Sequence, residues 1–99
     1  MNLNKFIYFG TFKIEEAYLI DIRTGYQGDL FLSIAKESNQ ENEEYIGVVL
    51  QNNEPRIDLV NIQRNSYLFN ISGEIYKNPN THKIIYVVKD TNSIEFIKE

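Results

Sequence analysis

The fold is decided by the stretch Ser66-Tyr67-Leu68-Phe69-Asn70-Ile71-Ser72-Gly73-Glu74-Ile75-Tyr76, which is followed after a short break by His82-Lys83-Ile84-Ile85-Tyr86-Val87-Val88-Lys89. Apolar residues recur at every second position in both runs, and β-branched and aromatic residues are frequent, which is typical of β-strands. The break, Lys77-Asn78-Pro79-Asn80-Thr81, consists of residues that favour turns. The pattern predicts a long β-hairpin, followed by a short strand over residues 93–97.

Extended segments also precede this hairpin. Strand patterns occur over residues 5–12, 16–23, 29–36 and 45–50. Gly10 stands inside the first of them, where a bulge or a close approach of the backbone is expected. Residues 24–28 contain two glycines and predict a turn, whereas residues 37–44 contain no apolar side chain and predict a solvated loop.

One segment has the signals of a helix. It lies between Asn52 and Asn65, with Asn53 or Glu54 as the N-cap and Pro55 in the first turn. The apolar stripe of this helix is predicted to contain Ile57 and Val60, and to extend to Arg64. A short helix between the third and fourth of five strands is the order of the oligonucleotide-binding (OB) fold, a Greek-key barrel. The sequence therefore predicts an all-β, five-stranded OB-fold barrel that forms a single domain over residues 1–99.

Composition restricts the functional class. The chain has no cysteine, which excludes disulfides and thiolate chemistry, and no apolar run approaches the length of a membrane span. No signal peptide begins the sequence, so a cytoplasmic location is expected. His82 is the only histidine and has no partner for a metal site, and no catalytic constellation is present, so we expect neither enzymatic activity nor a metal or other cofactor. The formal charge of −4 argues against a simple nucleic-acid-binding domain, which is normally basic.

The order of the segments resembles that of bacterial single-stranded DNA-binding proteins over nearly the whole chain. In that family an Asn-Lys or Asn-Arg pair precedes four apolar residues and a glycine, and Asn4-Lys5-Phe6-Ile7-Tyr8-Phe9-Gly10 has this form. The run Glu44-Tyr45-Ile46-Gly47-Val48-Val49-Leu50 is similar to the third strand of the family, and Arg64-Asn65-Ser66 stands at its basic turn. The resemblance implies a small or accessory member, without the flexible acidic tail, that serves replication, recombination or repair and is of phage or plasmid origin.

The resemblance also implies a binding site. The family stacks bases on aromatic rings that lie in a positively charged groove. Transferred residue by residue, this implies base stacking on Tyr45 and Tyr76, and phosphate contacts by Lys5, Arg23, Lys36, Lys77 and Lys83. Other aromatic positions of the family are occupied here by Leu50-Gln51 and Asn39. The predicted loop carries Glu37, Glu41, Glu43 and Glu44, whose charges would repel a phosphate backbone.

Other interpretations of the same residues stay open. Tyr45 begins a strand and is also compatible with a core or rim position, and Tyr76 and Tyr86 are compatible with an aromatic pair across the hairpin. The lysines are compatible with solvated strand ends. The acidic charge favours a second function, that of a protein-interaction adaptor or inhibitor that has the barrel but does not bind DNA.

The first strand predicts self-association. It places Phe6, Tyr8 and Phe12 on one face and Ile7 and Phe9 on the other, and a small barrel has only one interior for them. An apolar edge strand promotes aggregation unless another chain covers it. First strands pair across a two-fold axis in the resembling family, so we expect a homodimer or homotetramer with Phe6, Ile7, Tyr8 and Phe9 at the interface, and a replication protein as a further partner.

Overall fold

The computed structural model describes residues 3–25, 28–35, 45–51, 58–65 and 67–97. Within these ranges six strands and one α-helix follow each other along the chain. They are β1 (Ile7–Thr24), β2 (Leu30–Ala35), β3 (Ile46–Leu50), α1 (Leu59–Asn65), β4 (Leu68–Lys77), β5 (Ile84–Val88) and β6 (Ile94–Phe96). A 3₁₀ turn over Thr91–Ser93 separates β5 from β6. The predicted loop over residues 37–44 lies outside the described residues. No helix in the described part of the chain is long and apolar enough to cross a membrane.

The strands close into a barrel. Their order is β1-β2-β3-β5-β4, and β4 pairs in turn with β1, so that five strands form a ring. β3 and β5 run parallel, and every other pairing is antiparallel. β6 adds to β4 beside the ring. With α1 between the third and fourth strands, this is the all-β OB-fold barrel that the sequence predicts.

β1 is long because it serves both halves of the barrel. From Ile7 to Tyr18 it pairs with β4, and from Tyr18 to Thr24 it pairs with β2. The two extended segments that the sequence predicts over residues 5–12 and 16–23 are therefore one continuous strand. Within the described part of the chain, no strand pairs with the edge of β1 opposite β4 before Tyr18.

Two irregularities along its pairing with β4 allow β1 to bend. The first lies between Tyr8 and Gly10, which confirms the bulge predicted at this glycine. The second lies just before Ala17 and includes Glu16, whose φ of 53° is left-handed. The backbone N–H of Glu16 donates a hydrogen bond of 2.9 Å to the side-chain oxygen of Asn70, so the polar group that the bulge releases from the ladder has a partner.

The first bulge corrects the predicted faces of β1. Tyr8 is opposite Tyr76 of β4, whereas Phe12 is opposite Gly73, three residues away on the same strand. Because side chains alternate along a strand, Tyr8 and Phe12 lie on opposite faces of the sheet. Phe12 packs against the core, and the prediction that it shares a face with Tyr8 and Phe6 is wrong because the extra residue in the bulge shifts the alternation.

The core fills the interior of the barrel and the space beneath α1. Its members are the inward-facing side chains of β1 to β6 together with two residues of the helix, and burial of such apolar surface is the main force that favours folding. The largest fully buried side chains outside the helix are Phe69, Leu32, Ile34, Leu50, Ile71, Val48, Val87 and Val88.

The helix begins later than predicted. Asp58 is its N-cap, because the carboxylate oxygen of Asp58 accepts a hydrogen bond of 3.0 Å from the backbone N–H of Asn61. Leu59 and Ile62, three residues apart, are buried, whereas Val60 is 56% exposed. The predicted stripe through Val60 is therefore wrong, since the buried face begins one residue earlier. The predicted caps Asn53 and Glu54, as well as Pro55 and Ile57, lie outside the described residues.

The turn predicted after β4 is confirmed. The side-chain oxygen of Asn78 accepts hydrogen bonds from the backbone N–H groups of Asn80 and Thr81, at 2.9 and 3.3 Å. His82 adopts a left-handed φ of 61°, and its N–H donates to the backbone oxygen of Asn78 at 2.8 Å. The only histidine of the chain therefore closes the hairpin loop through its backbone.

Candidate nucleic-acid interface

Alternation along β2 gives the barrel an outward face with an aromatic ring on it. Leu32 and Ile34 belong to the core cluster. Successive side chains of a strand point to opposite sides, so Phe31 and Ser33 lie on the side that faces away from the core. Phe31 is 39% exposed, which is unusual for a large apolar side chain in a strand that otherwise packs inward.

β3 continues this outward face. Val48 belongs to the core cluster, so Gly47 and Val49 lie on the outer side. In the register of the two strands, Val49 is opposite Phe31 and Gly47 is opposite Ser33. We call the surface formed by Phe31, Ser33, Gly47, Val49 and the adjoining Tyr45 the β2–β3 face.

Two rings stand at the ends of the β2–β3 face. Tyr45 immediately precedes β3, two residues from Gly47, and is 48% exposed. Phe31 is level with Val49, and Val49 lies four residues after Tyr45 along the chain. The positions of the two rings are therefore separated by about 13 Å along the strands. Open space lies above Gly47, since a Cβ atom built there meets nothing within 4 Å. The face thus offers two separate aromatic surfaces with bare backbone between them.

Arg23 borders the Phe31 end of this face. It is opposite Phe31 in the register of β1 and β2. The guanidinium Nε of Arg23 donates a hydrogen bond of 2.9 Å to the carboxylate of Asp21, two residues away on the same side of the strand. Both side chains are exposed, so the ion pair is solvated. Arg23, which the sequence predicts to contact phosphate, therefore already has a carboxylate beside it.

A second cation lies further around the barrel, past β5. The ammonium of Lys89 is 3.3 Å from the carboxylate of Glu74, and Glu74 is opposite Val87, the neighbour of Val49. Lys89 also donates a hydrogen bond of 2.8 Å to the hydroxyl of Tyr76. That hydrogen bond, more than Glu74, raises the pKa of Lys89 above its ordinary value of 10.5.

Tyr76 is not placed as a base-stacking platform. It is only 9% exposed, and its hydroxyl donates to Glu74 at 3.2 Å while the Lys89 ammonium lies 5.2 Å from the centre of its ring. Its ring meets that of Tyr8 edge to face, with centroids 5.9 Å apart. The predicted pairing with Tyr86 is wrong as well, because Tyr76 is opposite Ile85 in the hairpin.

A second surface lies where the β4–β5 hairpin projects beyond the core. Ile7 of β1 is opposite Lys77 of β4, which is opposite Ile84 of β5, so the three side chains share one face. The ammonium of Lys77 lies 5.6 Å from the centre of the Phe9 ring, which is 61% exposed. We call Ile7, Phe9, Lys77, Ile84 and the neighbouring Lys83 the hairpin end.

Charge is distributed unevenly between these surfaces. Residues 3–14 and 75–89 contain no aspartate or glutamate, although they supply half of the ten lysines and arginines, namely Lys5, Lys13, Lys77, Lys83 and Lys89. Of these, Lys13 and Lys89 form ion pairs with Glu15 and Glu74, and no salt bridge to the other three occurs in the described part of the chain. The hairpin end is therefore a basic region within an acidic protein.

The structure brings the predicted site residues together in part. Tyr45 and Arg23 border the β2–β3 face, whereas Lys77 and Lys83 lie at the hairpin end, and Lys36 is outside the described residues. Phe31 was missed by the sequence interpretation. Its position in the alternating run from Leu30 to Ile34 was the available signal, because an aromatic residue there stands out of phase with the buried residues.

Among the described residues there is no cluster of histidine, cysteine, aspartate and glutamate that could hold a metal ion. Comparison with protein-family models, with curated proteins and with solved structures finds no match to this chain.

Proposed function

We propose that the protein binds single-stranded DNA on the β2–β3 face, without catalysis. The observation that carries this proposal is the pair of exposed rings, Phe31 and Tyr45, on the outer side of the second and third strands of an OB-fold barrel. That face is the one on which OB folds bind oligonucleotides, and an aromatic ring accepts any base because every base has a π-face.

The spacing of the rings supports an extended ligand. At about 13 Å apart along the strands, Phe31 and Tyr45 are too distant to stack on one base, so each ring takes a different base of the same strand. Gly47 lies between them and leaves room for the backbone of the nucleic acid. Phosphates beyond the face meet the hairpin end, where Lys77 and Lys83 form no salt bridge with any described residue. The role that we propose is that of an accessory protein in replication, recombination or repair.

The experiment is a titration with fluorescently labelled oligo-dT in low salt, repeated in raised salt. We expect binding that weakens only moderately with salt, since two to four neutralised phosphates give a slope of log K against log salt of roughly −0.7 for each contact. Duplex DNA of equal length is the control and should bind more weakly, because its bases are not available for stacking. An absence of binding near 50 mM salt, at tens of micromolar protein (about the range of non-specific affinities), contradicts the proposal.

We also propose that the functional unit is a homodimer or a homotetramer formed through the first part of β1. This part of the strand presents an edge with no strand partner among the described residues, and Ile7 and Phe9 are exposed beside it. An apolar edge strand is stabilised when a second copy adds to it. Phe6 is half-buried, whereas Tyr8 is 55% exposed although its ring meets Tyr76 edge to face, so Ile7, Tyr8 and Phe9 together supply the exposed apolar surface.

A second candidate function is protein binding without DNA binding. It is favoured by the hairpin end, where aliphatic side chains such as Ile7 and Ile84 are exposed next to Lys77. Aliphatic side chains have no π-face for a base but match the apolar side chains of a protein partner. If oligo-dT does not bind, this adaptor or inhibitor function is the better description of the barrel.

A further inference from the structure

Among the described residues, the two cations that border the Phe31 end of the β2–β3 face carry their own counter-charges. Arg23, opposite Phe31, is bonded to Asp21 at 2.9 Å. Lys89, which directly follows β5 and is two residues beyond Val87, is 3.3 Å from Glu74. The four formal charges of these two pairs sum to zero. A phosphate that approaches either cation therefore also approaches a carboxylate, and it must displace that carboxylate to gain an ion pair.

The remaining groups of the face are uncharged. Phe31, Tyr45, Ser33 and Gly47 offer two rings, a hydroxyl and bare backbone, whereas Val49 is buried. Stacking of a base on a ring contributes about 1–3 kcal/mol and needs no charge on the backbone of the ligand. The overall charge of −4 also opposes a polyanion at low salt. The described residues of the face thus have means to hold bases and little means to hold phosphates.

We infer that the β2–β3 face recognises the unpaired bases of its ligand and not the phosphates, so that it accepts a single strand whose backbone carries no charge as well as it accepts DNA. This inference rests on the proposed function, because it names the part of the nucleic acid that the same site binds. The salt dependence of DNA binding arises at the hairpin end, whose lysines Lys77 and Lys83 form no salt bridge within the described part of the chain.

The test compares two labelled ligands of about eight thymidines, a length within the range that one OB fold covers. One has the natural phosphodiester backbone, and the other has a methylphosphonate backbone, which is uncharged. The comparison is made in the variant Lys77→Gln and Lys83→Gln, which removes the phosphate contacts of the hairpin end. In this variant we expect the uncharged strand to bind with an affinity within about threefold of the natural strand, or more tightly, and to be insensitive to salt. An affinity that is lower by about tenfold or more for the uncharged strand in this variant overturns the inference but leaves the proposed function intact. If neither strand binds, the proposed function fails.

Two variants sharpen this test. Asp21→Asn releases Arg23 from its carboxylate, so the natural strand should bind more tightly and with a slope steeper by roughly 0.7, while affinity for the uncharged strand stays the same. Glu15→Gln is the matched control, because it releases Lys13 from an ion pair of 3.1 Å in the part of β1 that pairs only with β4. Equal gains in both variants would show that charge acts at long range and would overturn the inference.

Discussion

The β2–β3 face and the hairpin end belong to one barrel but offer opposite chemistry. On the face, two rings are exposed, and the cations that border the Phe31 end are neutralised by carboxylates, as in the pair of Arg23 and Asp21. At the hairpin end, Lys77 and Lys83 stand in segments without any carboxylate, next to the exposed Ile7 and Phe9. One surface is aromatic and electrically balanced, and the other is basic and largely apolar.

This difference teaches that the net charge of the chain is a poor guide to where it binds. Exposed charges are largely screened beyond about 10 Å at 0.1 M salt, so the carboxylates elsewhere on the molecule do not cancel the lysines of the hairpin end. The charge of −4 argues against a basic groove along the whole barrel, but it does not argue against stacking on one surface and phosphate contact at another.

The largest effect that we predict compares a glycine in the packed barrel with a glycine on the open β2–β3 face. A Cβ atom at Gly73, in the β4 strand of the hairpin, would clash with the backbone oxygen of Val87 and would lie 2.9 Å from Cε1 of Phe12. Gly73→Ala should therefore lower the free energy of unfolding by about 3 kcal/mol, because neither the strand nor the packed ring can move freely. Urea unfolding followed by circular dichroism measures the change.

Gly47→Ala is the matched control for this substitution, because a Cβ atom at Gly47 on the β2–β3 face enters open space. We expect its free energy of unfolding to stay within about 0.5 kcal/mol of the wild-type value. Equal stability of the two variants would show that the close packing around Gly73 is not rigid, and that the two regions do not differ in this respect.

The next effect concerns the rings. Tyr45→Ala and Phe31→Ala should each weaken binding of oligo-dT by about 1–3 kcal/mol, the usual loss when a base-stacking ring is removed, with little change in the melting temperature. Val60→Ala is the control, because it removes an exposed apolar side chain on α1, outside both surfaces. A sharp fall in melting temperature for Tyr45→Ala would mean that this ring supports the fold, and an equal loss of affinity for Val60→Ala would mean that the loss is not specific to the rings.

Charged residues placed on the first part of β1 should prevent the assembly of subunits. The double variant Ile7→Lys and Phe9→Lys places two charges on the proposed subunit interface, so we expect light scattering to give a dimer or tetramer for the wild-type protein and a monomer for the variant. Val60→Lys is the control, because Val60 is equally exposed but lies on α1. A wild-type protein that stays at 11.6 kDa across the micromolar range contradicts this proposal.

Local patterns were sufficient to predict the barrel. Apolar patterns located the strand regions, although the single strand β1 was predicted as two segments, and Gly10 predicted the first bulge, because each of these signals depends on neighbours in sequence. The ion pair of Arg23 with Asp21 could have been predicted in the same way, since residues two apart share one side of a strand. The exposed ring of Phe31 could also have been predicted from this alternation, whereas the resemblance to a family points to other aromatic positions.

Features that depend on distant pairing could not be predicted. Tyr76 is buried by contacts with Tyr8, Glu74 and Lys89, and the contacts with Tyr8 and Lys89 follow from the register of three strands rather than from the residues around it. The helix start was misplaced because Pro55 and the residues before it carry strong start signals, whereas the observed cap is Asp58. The bulged Phe9 changed the alternation of β1, which only the pairing with β4 reveals.

The smallest effect that we predict is the coupling energy between the ammonium of Lys89 and the carboxylate of Glu74. We expect a double-mutant cycle with Glu74→Gln and Lys89→Met to give a coupling energy of about 0.2–1 kcal/mol at neutral pH, since the pair is exposed and screened by solvent. The corresponding cycle at Lys13 and Glu15 is the control, and we expect a smaller value because that pair has no hydrogen bond to a tyrosine hydroxyl.

The same cycle has a defined pH dependence. The pKa of Lys89 is raised in the folded protein, first by its hydrogen bond to the Tyr76 hydroxyl and further by Glu74. The protonated amine therefore stabilises the fold fully below the ordinary pKa of 10.5, and this contribution is lost as the pH rises through the higher pKa of the folded state. Urea unfolding of the four proteins at neutral pH and near pH 12 should show the coupling at the lower pH and its loss at the higher one. A coupling that persists unchanged in strong alkali would mean that the contact depends on packing of the lysine stem and not on its charge, in which case Lys89 would not be a neutralised cation beside the β2–β3 face.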